Sequence, residues 1–73
     1  MIIDLVGEVI AVRDGERLRS VKVLHPQGDQ KNVVEVNYWK TDMKGNQLKV
    51  PEFKSGQQFK AKVFFKDSCS PVN

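Results

Sequence analysis

The sequence predicts a small all-β domain, in which five short strands close into a barrel. The chain has 73 residues, which is enough for one domain with a thin core. In several segments apolar residues recur at every second position, the period of a strand, and turn residues separate these segments. No segment combines apolar residues at helical spacing with capping residues at both ends, so we expect no helix.

The first two predicted strands form a hairpin. Ile2–Val12 is rich in β-branched residues, and Gly7 within it predicts a bulge or a sharp bend. The pair Asp14 and Gly15 tolerates the positive φ angles of a tight hairpin turn. Arg17–Leu24 is then the returning strand.

The third predicted strand, Asn32–Lys40, follows a loop that contains Pro26. One of its faces is wholly apolar and is the better candidate for the core. That face consists of Val34, Val36 and Tyr38.

A short fourth strand is predicted at Gln47–Val50, after a turn at Gly45 and before Pro51. Phe53 then lies in a connection, where we expect it to plug the open end of the barrel. The last strand is Gln57–Lys66, and its inward side carries Phe59, Ala61, Val63 and Phe65.

Two barrel types accommodate these strands. We assign residues 1–66 to a single β-barrel domain and residues 67–73 to a flexible C-terminal tail. The oligonucleotide-binding (OB) barrel follows a Greek-key path, and a long, glycine-bent first strand with a tight hairpin favours it. The SH3-like barrel is mostly a meander. It stays open as the alternative, because the short connection after the third strand has no room for the helix of many OB domains.

Composition excludes several classes of protein. The single cysteine, Cys69, cannot form an internal disulfide, which favours a reducing compartment. No apolar run approaches the roughly 20 residues that span a bilayer, and the first residues lack the pattern of a secretory signal. We therefore expect a cytoplasmic protein that does not contact membranes.

Catalysis is not expected. His25 is the only histidine, and no cluster has the spacing of metal ligands. No carboxylate pair lies in an apolar setting, and the glycines are too widely spaced for a phosphate-binding loop. The sequence thus predicts no enzyme, no cofactor, no metal and no small-molecule substrate.

The distribution of charge favours a polyanionic partner. The net charge is +3, and residues 37–73 carry seven lysines against three acidic residues. On the last strand, lysines alternate with an aromatic ring on the outward side, which suits phosphates and bases respectively. This outward set is Lys60, Lys62, Phe64 and Lys66.

The third strand and the first hairpin extend this candidate site. Trp39 points away from the apolar face of its strand and Lys40 follows it, while Arg17 and Arg19 lie near the hairpin. In this interpretation two aromatic rings stack on bases and the cations contact phosphates. The predicted nucleic-acid-binding residues are Trp39, Lys40, Lys60, Lys62, Phe64, Lys66, Arg17 and Arg19.

This architecture, with Trp39 and the residues of the last strand, resembles small OB-fold single-stranded-DNA-binding proteins of phages and mobile elements. The resemblance implies binding of single-stranded nucleic acid, DNA in preference to RNA, with little sequence specificity. It also leaves room for a homodimer or higher oligomer. The alternative is a small β-barrel module for protein–protein interaction or oligomerisation within a larger assembly, with Trp39 and Phe64 as aromatic anchors.

Overall fold

The computed structural model describes residues 1–27, 30–65 and 69–71. These residues contain strands and loops and no helix, so the all-β class is confirmed. The strands are β1 (Ile2–Asp14), β2 (Leu18–Gln27), β3 (Gln30–Trp39), β4 (Gln58–Phe65) and β5 (Cys69–Pro71).

Four long strands pair antiparallel and curl around a core, in the spatial order β4-β1-β2-β3. The strand β1 is shared, because Ile2–Glu8 pairs with β4 and Glu8–Asp14 pairs with β2. The short β5 lies between β3 and β4 and closes the order of the sheet. It runs antiparallel to β4 and parallel to β3, which it meets at one residue pair, Val36 with Cys69.

The irregularity in β1 is not where the sequence suggested. Gly7 pairs in register with Phe59, and the register shift lies between Val9 and Ala11. The predicted bulge at Gly7 is therefore wrong, while the alternative of a sharp bend there stays a prediction. Glycine is needed there for another reason: an added Cβ would lie 2.2 Å from the carbonyl oxygen of Leu24 on β2. Only a residue without a side chain permits this close approach of two backbones.

The first hairpin forms at the predicted place with a different loop. The connection comprises residues 15–17, and the Gly15 N–H donates to the Leu18 carbonyl at 2.8 Å. The glycines with positive φ among the described residues are Gly45 and Gly56, at 85° and 92°. Gly15 thus makes the turn without the left-handed geometry that the Asp-Gly pair suggested.

The predicted strand at Gln47–Val50 is wrong. The segment contributes one isolated bridge, between Thr41 and Gln47. The Asp42 carboxylate organises the turn by accepting hydrogen bonds from the backbone N–H groups of Lys44 and Asn46, at 2.9 and 2.8 Å. These bonds hold the pKa of Asp42 below its usual value, and the bond from the Asn46 N–H contributes most. Beyond the turn the Leu48 N–H donates to the Lys40 carbonyl at 2.8 Å, but the pairing does not extend into a strand.

The chain pairs with the sheet again after the predicted barrel. The sequence assigned residues 67–73 to a flexible tail, but Cys69–Pro71 form β5 and pair with β4 at three positions. The neighbouring residues 66–68 and 72–73 lie outside the described residues.

The core lies between the inward faces of the four long strands. Val36 and Tyr38 are buried, as predicted, and Val34 packs against them while partly buried. The Phe53 ring lies 5.2 Å from Tyr38 and 5.7 Å from Phe59 between ring centroids, so it packs against the core while partly buried. That it plugs the open end of the barrel stays a prediction. The side chain of Phe65 lies outside the described part. The buried set is Leu5, Val9, Val21, Val23, Val36, Tyr38, Phe59 and Val63.

Candidate nucleic-acid interface

The two aromatic rings predicted to stack on bases are both exposed, but they lie on different parts of the sheet. Trp39 is 58% exposed and pairs with Leu18 of β2 at the end of β3. Phe64 is 45% exposed and pairs with Ile2 of β1. Because β5 separates β3 from β4, the rings lie on non-adjacent strands of a curled sheet. The structure therefore divides the predicted site into two surfaces.

The first surface is the outer side of β1 and β4, which we call the β1–β4 face. It comprises Ile2, Asp4, Val6 and Glu8 with Gln58, Lys60, Lys62 and Phe64. The lysines are exposed as predicted, yet Asp4 lies directly opposite Lys62 and Glu8 lies further along β1. Among the described residues, two lysines thus share the face with two carboxylates, so these four charges balance. Lys66 lies outside the described residues.

The second surface surrounds Trp39. The indole lines an open, mostly apolar pocket of about 410 Å³ between the first hairpin and the loop that follows β3. The other lining residues are Arg17, Thr41, Asp42, Met43 and Leu48. An exposed ring beside a guanidinium and two apolar side chains offers a base both a stacking partner and a positive charge.

A groove of about 480 Å³ adjoins this pocket on the outer side of β1, β2 and β3. Its residues include Leu18, which pairs with Trp39 and so links the groove to the pocket. The groove carries two cations, Arg13 and Lys22, and one carboxylate, Glu35 opposite Lys22. We call the pocket and the groove together the Trp39 surface.

Lys22 was missed in the sequence-based set. It shares the parity of Leu18 and Ser20 on β2, and this outward alternation was the available signal. The signal was weak because the apolar pattern of β2 is imperfect. The pairing of Leu18 with Trp39 in the fold is what places Lys22 on the same side of the sheet as the indole.

Arg19 and Lys40, predicted to contact phosphates, are engaged within the protein. Their side chains bind the same Asp14 oxygen, at 2.5 and 3.0 Å. Arg19 also donates to the Pro51 carbonyl at 2.7 Å, and Lys40 donates to the Gly15 carbonyl at 2.9 Å. The two cations therefore join the first hairpin to the loop around the Trp39 pocket, and they position its walls.

The same cluster sets a pH dependence. Hydrogen bonds from Arg19 and then Lys40 hold the pKa of Asp14 below its usual value. A carboxyl group with a lowered folded-state pKa stabilises the fold above its unfolded pKa of about 3.9, and this contribution is lost as the pH falls through the folded value.

We therefore expect Asp14→Asn to lower the urea midpoint at neutral pH. The difference from the wild type should shrink as the pH falls below about 5, because the carboxylate takes up its proton first in the unfolded chain and then, at lower pH, in the folded one. Glu16→Gln is the control, because Glu16 makes no ion pair in the described part of the chain. A difference that is the same at every pH would show that the carboxylate charge of Asp14 is not involved.

Comparisons of the chain with protein-family models, with curated proteins and with solved structures give no match. Among the described residues, no helix has the length and apolar character required to cross a membrane. What the protein binds must therefore be inferred from the chemistry of its surfaces.

Proposed function

We propose that the protein binds single-stranded nucleic acid without catalysis and with little sequence specificity. The observation that carries this proposal is the exposed Trp39 ring, placed where an apolar pocket meets a groove bearing Arg13 and Lys22. Unpaired bases stack on aromatic side chains regardless of their identity, and cations along a groove hold the backbone. The preference for DNA over RNA rests on the resemblance to phage single-stranded-DNA-binding proteins alone.

The charge balance supports the Trp39 surface as the place of binding. Three cations line its pocket and groove, against two carboxylates, whereas the described residues of the β1–β4 face carry two of each. The cations are Arg13, Arg17 and Lys22, and the carboxylates are Glu35 and Asp42. A polyanion is therefore attracted to the Trp39 surface more strongly than to the β1–β4 face.

We also propose that the barrel is of the OB type. A meander would keep consecutive strands side by side, but here β4 lies beside β1 and β5 lies between β3 and β4. This non-consecutive order supports a Greek-key path over the SH3-like alternative. OB domains bind oligonucleotides on the face of strands 2 and 3 and on the loop between strands 1 and 2, which is where Trp39 and Arg17 lie in this chain.

The test is a titration of fluorescent oligo-dT at several salt concentrations. If Arg13, Arg17 and Lys22 contact phosphates, the logarithm of the affinity should fall against the logarithm of salt with a slope of about −2. Lys22→Gln should reduce the magnitude of the slope by about 0.7, whereas Lys62→Gln on the β1–β4 face should leave it unchanged. Absence of binding at low salt, or binding without salt dependence, would contradict the proposal.

A protein-interaction or oligomerisation module is the second candidate function. The observation in its favour is that Trp39, Met43 and Leu48 are all exposed around one pocket. Large apolar side chains in such a cluster are the usual anchors of a protein partner. In that case oligo-dT would not bind in the titration, and the partner's affinity would change little with salt.

A further inference from the structure

The β1–β4 face is more apolar than the outer side of an antiparallel sheet usually is. Ile2 is 54% exposed, Phe64 is 45% exposed and Val6 is 38% exposed. Single exposed apolar residues are normal, but these three lie on one face, where Ile2 and Phe64 form a cross-strand pair. Exposure of this part of the surface to water is therefore unfavourable.

The outward side chains of β1 and β4 form four cross-strand pairs, some apolar and some charged. From the start of β1, the cross-strand pairs are Ile2 with Phe64, Asp4 with Lys62, Val6 with Lys60, and Glu8 with Gln58. We call each of these pairs a level, because its two residues lie at the same height along the strands. Among the described residues, neither Asp4 nor Lys62 makes an ion pair, so both charges are available to a partner.

We propose that the β1–β4 face binds a second copy of this chain around a two-fold axis parallel to the strands. A two-fold axis in this direction, placed between the two faces, exchanges β1 and β4 and keeps every residue at its level. Ile2 then lies against the partner's Phe64, and Asp4 lies against the partner's Lys62. Both contacts occur twice. At the other two levels Val6 lies against the partner's Lys60 and Glu8 against the partner's Gln58, so the complementary contacts are those of the first two levels.

Other arrangements of the face match less well. A two-fold axis across the strands would set Lys60 against the partner's Lys62 and Ile2 against the partner's Glu8, which places like charges together and buries a carboxylate against carbon. A strand of nucleic acid would meet Asp4 and Glu8 on the face. The strand-parallel axis pairs Ile2 with Phe64 and Asp4 with Lys62, and at none of the four levels does it set like charges together.

The contact is small, since it is two strands wide. Interfaces of this size are at the weak end of specific association, so the dimer should form and dissociate reversibly. It does not use Trp39, and it stands whether or not the Trp39 surface binds nucleic acid.

The test is the molecular mass in solution, measured by sedimentation equilibrium from about 10 µM to about 1 mM, the range in which weak pairs associate. The wild type should shift from the monomer mass of 8.3 kDa toward twice that value. Asp4→Lys and Lys62→Asp should each weaken the dimer at least tenfold, because each sets like charges against each other twice. Glu35→Lys changes the same kind of cross-strand pair on the outer side of β2 and β3, and it should leave the mass unchanged.

Mixing the two charge variants, Asp4→Lys and Lys62→Asp, distinguishes docking from folding. In a mixed pair, the lysine introduced into one variant faces the aspartate introduced into the other, so the mixture should dimerise although neither variant does so alone. The repulsion within each chain persists in the mixture, and circular dichroism of each variant checks that it is folded. A wild type that stays monomeric at about 1 mM would overturn the proposal, as would a mixture of folded variants that stays monomeric.

Discussion

Replacing Trp39 with alanine is expected to lower the affinity for oligo-dT by about one to two orders of magnitude, since stacking one base contributes about 1–3 kcal/mol. The ring is 58% exposed, so the fold should be little affected. The measurement is fluorescence anisotropy at one low salt concentration, with protein below about 10 µM so that a weak dimer is dissociated. Trp39→Phe should retain most of the affinity, because a smaller ring still stacks.

Phe64→Ala is the matched control. Phe64 is also an exposed aromatic residue at the end of a strand, but it lies on the charge-balanced β1–β4 face. Its removal should change the affinity for oligo-dT by less than about twofold, within the usual range of substitutions away from a binding site. If Phe64→Ala weakens binding as much as Trp39→Ala, the last strand carries the site that the sequence suggested.

Replacing Gly7 with alanine is expected to destabilise the protein by about 3 kcal/mol, at the upper end of the range for overpacking. The added Cβ would lie 2.2 Å from the Leu24 carbonyl oxygen and 2.9 Å from a methyl carbon of Val23. The oxygen belongs to the backbone, so the clash cannot be relieved by a change of rotamer. The two strands would have to separate where β1 passes from β2 to β4. Urea unfolding at pH 7 measures the loss.

Gly15→Ala is the control for that substitution. Its nearest neighbour would be the Leu18 carbonyl oxygen at 3.3 Å, and its φ is not positive. The expected loss is below about 1 kcal/mol, which a small shift of the loop can absorb. Equal losses for the two variants would mean that β1 and β2 do not approach closely at Gly7.

The candidate site was only partly predictable from the sequence. Alternation correctly indicated that Trp39, Phe64, Lys60 and Lys62 point outward, because the direction of a side chain on a strand is a local property. The neighbours of those side chains were not predictable. Asp4 comes to lie opposite Lys62 through the pairing of β1 with β4, which joins segments far apart in the chain.

Lys40, near the Trp39 surface, is a second residue whose neighbours could not be predicted from the sequence. The sequence placed it beside Trp39 as a phosphate contact, whereas the fold brings Asp14 to 3.0 Å from its amine. The same carboxylate binds Arg19, so two predicted contacts serve to hold the hairpin and the loop together. Asp14 lies between these two cations because the ends of β1, β2 and β3 come together in the fold. The pattern of residues within any one segment does not reveal that contact.

By itself, the sequence determined the all-β class, the inward side of β3 and β4, and the turn at Gly45. These depend on alternation and on the conformational freedom of glycine, which act over a few residues. The tertiary structure decided that Gln47–Val50 is not a strand, that Cys69–Pro71 is one, and which charges surround each exposed ring. Strand pairing is decided by hydrogen bonds and packing between segments far apart in the chain, so it depends on the whole sheet and not on any one segment.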